Sequence, residues 1–205
     1  MKYYFILLKI KADRIATKKA SEIIKKGGIL VFPTDTVYGI GCNPYDKTAV
    51  EKIYKIKNRP IEKSLPILVS SLEIASEIVE FDKNSRKLAE KFWPGPLTII
   101  LKIKDQKIEE SMCLNGKIAI RVPRNNWLLE VLKEVKVIIG TSANISGHNS
   151  FVDSKNCSKN LECDLFIDGG KIESNGESTI IEFKGKEMLV HREGVLTKEK
   201  ILKVL

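Results

Sequence analysis

Strand-length apolar runs and amphipathic helical segments take turns along this chain, and that alternation restricts its fold more than any other feature. Ile29 to Phe32, Leu65 to Val69, Leu97 to Ile103, Ile118 to Val122, Val137 to Gly140 and Leu165 to Ile167 have the length and composition of buried strands. Residues 2–10 form a further apolar run, and Val37 to Gly41 resumes extended structure after a Pro33-Thr34-Asp35-Thr36 loop. Helical spacing fills the intervals. Asp13 caps a helix that runs to about Lys26 with Ile15, Ala16, Ala20, Ile23 and Ile24 on one face, and Gly27-Gly28 ends it. Asp46 opens a second helix through Val50, Ile53, Tyr54 and Ile56, and others are predicted over 71–79, 83–92, 126–134 and near 153–160. Thr197 caps a short final one. Residues 104–117 are polar and read as a loop. Ser178 to Phe183 and Glu187 to His191 are two arms of a hairpin across Lys184-Gly185-Lys186. Interleaving predicts an α/β fold; the hairpins make its sheet mixed.

At 205 residues the chain is read as a single domain, 1–205. Hydrophobic residues make up 43%, enough for a core. The formal charge of +9 favours an anionic partner such as a nucleotide or RNA, although a Lys-rich solvated surface explains the same number. Cys42, Cys113, Cys157 and Cys163 lie without any C-x-x-C pair, which argues against zinc spacing and a disulfide framework. The N-terminal apolar run is short and followed by Lys9 and Lys11, so it reads as a strand rather than a signal or membrane span. A reducing cytoplasmic setting is expected.

Chemistry is narrowed first by absences. The sequence has no G-x-G-x-x-G, no G-x-x-x-x-G-K-[ST] and no G-x-S-x-G. Only His148 and His191 are available to activate a nucleophile or ligate a metal. What remains is a set of cations and small polar groups where the chain changes direction. Lys57, Arg59 and Lys63 cluster around Pro60 at the end of the second helix. As a solvated helix end they would merely complement the helix dipole. As a trio beside the Thr141-Ser142-Ala143-Asn144 segment they suit a phosphate held by point charges and amide donors. Arg121 interrupts an apolar strand and needs an anion, supplied either by a ligand or by a buried ion pair. Ser142 and Asn144, bracketed by Gly140 and Gly147, and Thr34 to Thr36 are equally consistent with ordinary turn chemistry. Tyr38 and Trp93 read as packing residues.

Pro33-Thr34-Asp35-Thr36-Val37-Tyr38-Gly39-Ile40-Gly41, Lys57-x-Arg59, Trp93-Pro94-Gly95-Pro96-Leu97-Thr98, Ile118 to Pro123, Ser142-Ala143-Asn144-Ile145-Ser146-Gly147 and Ser178-Thr179-Ile180 occur in that order. This ordered set resembles the YrdC-like threonylcarbamoyl-AMP synthases over about residues 13–195. The resemblance implies a twisted, open, large mixed sheet flanked by helices around a positively charged concave cavity. It also implies synthesis of threonylcarbamoyl-AMP from L-threonine, bicarbonate or CO2, and ATP, with release of pyrophosphate, for the threonylcarbamoyladenosine modification of tRNA. By the same resemblance Lys57, Arg59, Lys63, Ser142 and Asn144 form the catalytic set. ATP falls to Lys57, Arg59, Lys63, Asn144 and Arg192, and threonine to Thr36, Arg121, Ser142 and Ser178, with Arg121 on its carboxylate. Mg2+ is expected to arrive on the ATP phosphates, with no metal ligands of the protein's own.

Some members of that family carry a histidine where this chain has Leu68, so threonine recognition here is expected to rest on packing. The chain also resembles the short form, without an extra C-terminal domain. The implied partner is the downstream tRNA threonylcarbamoyl transferase complex, with weak direct tRNA or double-stranded RNA binding and no membrane. The competing reading is a non-catalytic double-stranded RNA or tRNA-binding module. Both predict salt-sensitive RNA affinity. Convergence of Thr36, Ser142, Asn144 and Ser178 on one pocket is what distinguishes the enzyme.

Overall fold

The computed structural model describes residues 8–157 and 161–205. Its strands are β1 (Lys9–Lys11), β2 (Leu30–Pro33), β3 (Tyr38–Gly41), β4 (Ile67–Val69), β5 (Val79–Glu80), β6 (Leu97–Ile103), β7 (Lys117–Arg121), β8 (Val137–Ile139), β9 (Thr141–Ser142), β10 (Leu165–Asp168), β11 (Thr179–Lys184) and β12 (Glu187–Arg192). Helices are α1 (Arg14–Lys25), α2 (Lys47–Lys57), α3 (Leu72–Ile78), α4 (Lys83–Phe92), α5 (Gln106–Ser111), α6 (Asn126–Val135), α7 (Ser154–Cys157) and α8 (Lys198–Leu202). The apolar run at 2–10 lies mostly outside the described residues, as does the end of the helix expected near 153–160.

The expectation of one large sheet is corrected: the strands form two mixed sheets. The first has five strands in the order β1-β10-β2-β3-β9. The second runs β12-β11-β6-β7-β4-β8, with β5 paired to β6 as its seventh strand. The first sheet joins two parallel pairs (β1 on β10, β10 on β2) to two antiparallel ones (β2 on β3, β3 on β9), whereas in the second, parallel pairs (β11 on β6, β4 on β7) alternate with antiparallel ones (β11 on β12, β6 on β7, β4 on β8). The switch between sheets is made at Gly140, between β8 and β9. A Cβ there would sit 2.3 Å from Leu68 Cδ1, so only glycine lets the chain cross so close to β4.

Helix starts follow their capping residues. Asp13 accepts from Ala16 N at 2.8 Å, Asp46 from Ala49 N at 3.1 Å and Asn125 from Leu128 N at 2.9 Å. The same chemistry explains the miss at 104–117. Asp105 accepts from Ile108 N at 3.1 Å and starts α5, whose Ile108 is buried. A single apolar anchor in a polar stretch leaves no periodicity to read, but Asp105 was a capping signal.

Strand alternation divides the interior in two. In β2, β4, β8 and β10, successive residues face opposite clusters: Ile67 and Val69 join one, Leu68 the other. The smaller cluster packs α1 and α6 against the sheets through Ala16, Ala20, Ile24, Leu128, Val131 and Leu132. The larger takes Leu97, Ile99, Leu101 and Ile103 from β6 and Ile118 and Ile120 from β7. By the same period of two, Thr98, Ile100, Ala119 and Arg121 face away from that larger core. Tyr38 stacks on Phe166 at 5.7 Å between ring centroids, so it packs as expected. Half-buried Trp93 meets Phe81 edge to face at 6.0 Å.

Candidate active site

The sheet face left by this alternation opens into a cleft of about 390 Å³. Thr98, Ile100, Ala119, Arg121 and Leu68 form part of its wall, joined by Thr36, Gly39, Gly140, Ser142 and Asn144 near the switch between sheets. Lys57 and Arg59 enter from the end of α2, and Ser178 and Arg192 from the β11–β12 hairpin. Of the residues singled out from the sequence, all but Lys63 line this one cleft. Lys63 is exposed, and it is its backbone carbonyl that contributes, accepting from Arg59 Nε at 2.8 Å.

Lys57 is delivered by a helix that stops abruptly. Asn58 adopts the left-handed conformation at φ 47°, and Arg59 N closes onto Tyr54 O at 3.0 Å. Asn58 rather than Pro60 makes the turn. The Lys57 side chain is 1% exposed. Its ammonium donates to Ser142 O at 2.5 Å, Asn144 O at 2.7 Å and Asn144 Oδ1 at 3.3 Å. Three acceptors match three N–H groups. Lys57 therefore shapes the Ser142–Asn144 segment and supplies charge from behind it. Burial, reinforced by the nearby Arg59 charge, lowers its pKa to about 8.

Ser142 belongs to β9 and pairs with Gly39 in β3, rather than standing in a turn. Asn144 follows, its Nδ2 donating to His148 O. Gly147, with φ +85°, has nothing within 4 Å of a built Cβ. It is needed for its dihedral, not for close approach.

Arg59 is half-buried and donates to Lys63 O and to Ser64 O, the latter at 3.0 Å. Burial pulls its guanidinium below the ordinary value, with Tyr54 opposing and Arg192 adding to the effect. Arg121 is 5% exposed, and each of its three nitrogens donates one hydrogen bond. Nε donates to Gly95 O at 2.8 Å, Nη1 to Thr36 Oγ1 at 3.1 Å and Nη2 to Asp35 Oδ1 at 2.5 Å. Of the two alternatives raised by the sequence, the buried ion pair is present, and Arg121 also borders the cleft. Thr34 serves its own turn, accepting from Thr36 N and Val37 N at 3.0 and 3.2 Å. Across the cleft Thr98 Oγ1 and Ser178 Oγ are 2.9 Å apart, and Arg192 donates to Ser178 O at 3.0 Å and to Ser178 Oγ at 3.1 Å.

A family model for Sua5, YciO and YrdC proteins, described as "Telomere recombination", matches residues 22–194. The chain belongs to the Sua5/YrdC family. Family relatives include the threonylcarbamoyl-AMP synthase of Pyrococcus abyssi, 34% identical over 197 residues, which covers 91% of this chain and 56% of that protein. A putative threonylcarbamoyl-AMP synthase of Methanocaldococcus jannaschii is 35% identical over 192 residues, covering 90% of both chains. The crystal structure of P. abyssi Sua5 complexed with L-threonine superposes with a TM-score of 0.86 at 31% identity, over 98% of this chain and 60% of that one. E. coli YciO gives a TM-score of 0.83 at 27% identity, over 95% and 98%. The chain thus spans little more than half of the longer family members and nearly all of the shorter ones.

Around this Sua5/YrdC cleft, sequence reasoning missed Thr98 and Glu177 in the wall, the latter's carboxylate accepting from Arg192 and Ser150, and Asp35 behind it as the partner of Arg121. Thr98 had a legible signal, a hydroxyl on the strand face that alternates with Leu97 and Ile99. Asp35 and Glu177 had none, because their partners lie 86 and 15 residues away along the chain. Among the described residues no group of three or more His, Cys, Asp or Glu side chains could hold a metal ion. Nor is any helix there long and apolar enough to cross a membrane.

Proposed function

We propose that this protein is a cytoplasmic threonylcarbamoyl-AMP synthase acting on L-threonine, bicarbonate or CO2, and ATP. The observation that carries the reading is the cleft's composition. Four cations, Lys57, Arg59, Arg121 and Arg192, line the cleft against one carboxylate, Glu177, and the hydroxyls of Thr36, Thr98 and Ser178 bond to these arginines or to each other. Such a wall binds and orients anions.

The chemistry asks for little else. The threonine amine adds to CO2 and gives up a proton, leaving a carbamate. A carbamate oxygen then forms a bond to the α-phosphorus of ATP, and the bond to the bridging oxygen of pyrophosphate breaks. Two anions must be held in line while charge grows on the leaving phosphates, so catalysis is positioning and electrostatics. Arg121, fixed by Asp35 and Gly95, presents its edge to the threonine carboxylate beside Thr36 and Ser178. Arg59 and Arg192, both in the cleft lining, take the phosphates. Lys57 holds the Ser142–Asn144 segment against the reacting groups, and Lys63 serves through the loop it anchors. A Mg2+ bound to the phosphates would neutralise their charge and needs few protein ligands. The product would pass to a tRNA-modifying transferase. Incubation with labelled bicarbonate, threonine and ATP tests the proposal: a labelled adenylate with the mass of threonylcarbamoyl-AMP is expected, and its absence from active-folded protein that binds ATP overturns it.

A further inference from the structure

Glu177 is the one acidic side chain among the described residues lining the cleft. It lies two residues before the start of β11, and its carboxylate is held from two directions. Arg192 Nη1 donates to Oε2 and Ser150 Oγ donates to Oε1. Ser150 lies on the loop that follows Asn144 and Gly147, whereas Arg192 ends β12. The carboxylate therefore spans from loop to hairpin at the cleft.

The Asp35–Arg121 and Glu177–Arg192 pairs differ in a telling way. Asp35 and Arg121 are almost sealed, at 12% and 6% side-chain exposure, and Asp35 is not part of the cleft wall. Glu177 and Arg192 remain 27% and 38% exposed, and both line the cleft. The Glu177 backbone is fixed: Val195 N donates to its carbonyl at 3.0 Å, and a Cβ on Gly194 would lie 2.1 Å from that oxygen. Movement is thus left to the carboxylate. A carboxylate held by a guanidinium and a hydroxyl uses the same donors that a phosphate oxygen pair would use.

We infer that Glu177 is the resident counter-anion of Arg192, and that a phosphate group of the incoming nucleotide displaces it. This rests on the nucleotide-binding reading above. Displacement also frees Ser150, so nucleotide entry unties the Asn144 loop from the hairpin. An intramolecular carboxylate outcompetes a dilute monoanion, so Arg192 is reserved for di- and triphosphate groups and withheld from bicarbonate and amino-acid carboxylates.

Calorimetric titration with ATP at fixed ionic strength tests this in the wild type, Glu177→Gln, Arg192→Gln and the double variant. Glutamine keeps the length and an acceptor for Ser150 while removing the charge. Glu177→Gln is expected to bind ATP roughly 3- to 5-fold tighter, the scale of a partly exposed ion pair, and the gain is expected to vanish when Arg192 is also replaced. Unchanged or weaker binding would make Glu177 a brace and overturn the inference. A gain that persists without Arg192 would reflect net charge alone and overturn it too. Where Glu177→Gln does not fold, Glu177→Asp, too short to meet both partners, is expected to shift affinity in the same direction. Wild-type protein that binds no ATP would instead overturn the nucleotide reading beneath.

Discussion

Arg59 and Lys57 illustrate how unlike two neighbouring cations can be. Arg59 is half-buried and anchored only by the carbonyls of Lys63 and Ser64. Arg59→Ala is expected to lower the synthesis rate about 10²-fold or more, the loss typical of one charge-stabilising donor, with circular dichroism unchanged. A near-normal rate would remove it from the mechanism. Lys57 is buried and titrates near 8 instead of 10.5. Between those values the unfolded chain holds a proton that the folded one has released. Its drag on folding is therefore full below about pH 8 and fades as pH rises towards 10.5. Charge behaves oppositely: above about pH 8 the ammonium is lost from the cleft. ATP affinity should weaken above that pH in the wild type and stay flat in Lys57→Met, as titrations across the range would show. Leu68 pairs in register with Arg121 and packs on Gly140, giving an apolar wall beside the proposed carboxylate site. One methyl group in such a pocket is worth about 10-fold in discrimination. Leu68→Ala should therefore narrow the ratio of kcat/KM for threonine over serine; an unchanged ratio would place the methyl elsewhere.

Among the elements, the end of α2 matters most, because it aims both cations. Asn58 holds the left-handed conformation there, which costs a residue with an ordinary side chain roughly 1–2 kcal/mol. Asn58→Gly should preserve stability and rate, whereas Asn58→Val should lower the denaturation midpoint and the rate together. Most elements were legible in the sequence for an equally local reason. Asp13, Asp46 and Asn125 cap their helices, and alternation in β4, β6 and β7 follows the two-residue strand period. α5 was not legible because Ile108 alone anchors it. The two-sheet arrangement was not legible because it depends on where the chain crosses over. Gly140 marks that crossing, but its tight approach to Leu68 joins residues 72 positions apart, beyond any local pattern.

Across the whole molecule, the site exists because two mixed sheets meet where β8 passes into β9. Apolar residues of β6 and β7 face the larger core, and their alternate positions face the cleft. The ordered motifs made most of the site readable, since each sits at a strand or helix end that the fold brings together. The counter-charges were not readable, because pairing Asp35 with Arg121 and Glu177 with Arg192 is a property of tertiary structure. The net charge of +9 is shared by the enzyme and by an RNA-binding module, so charge does not separate them. Turnover does. The most direct measurement is pyrophosphate release from ATP by the purified protein, with threonine and bicarbonate left out in turn. Release that requires both substrates is the predicted result. ATP binding without release, or release indifferent to threonine, would contradict the synthase account.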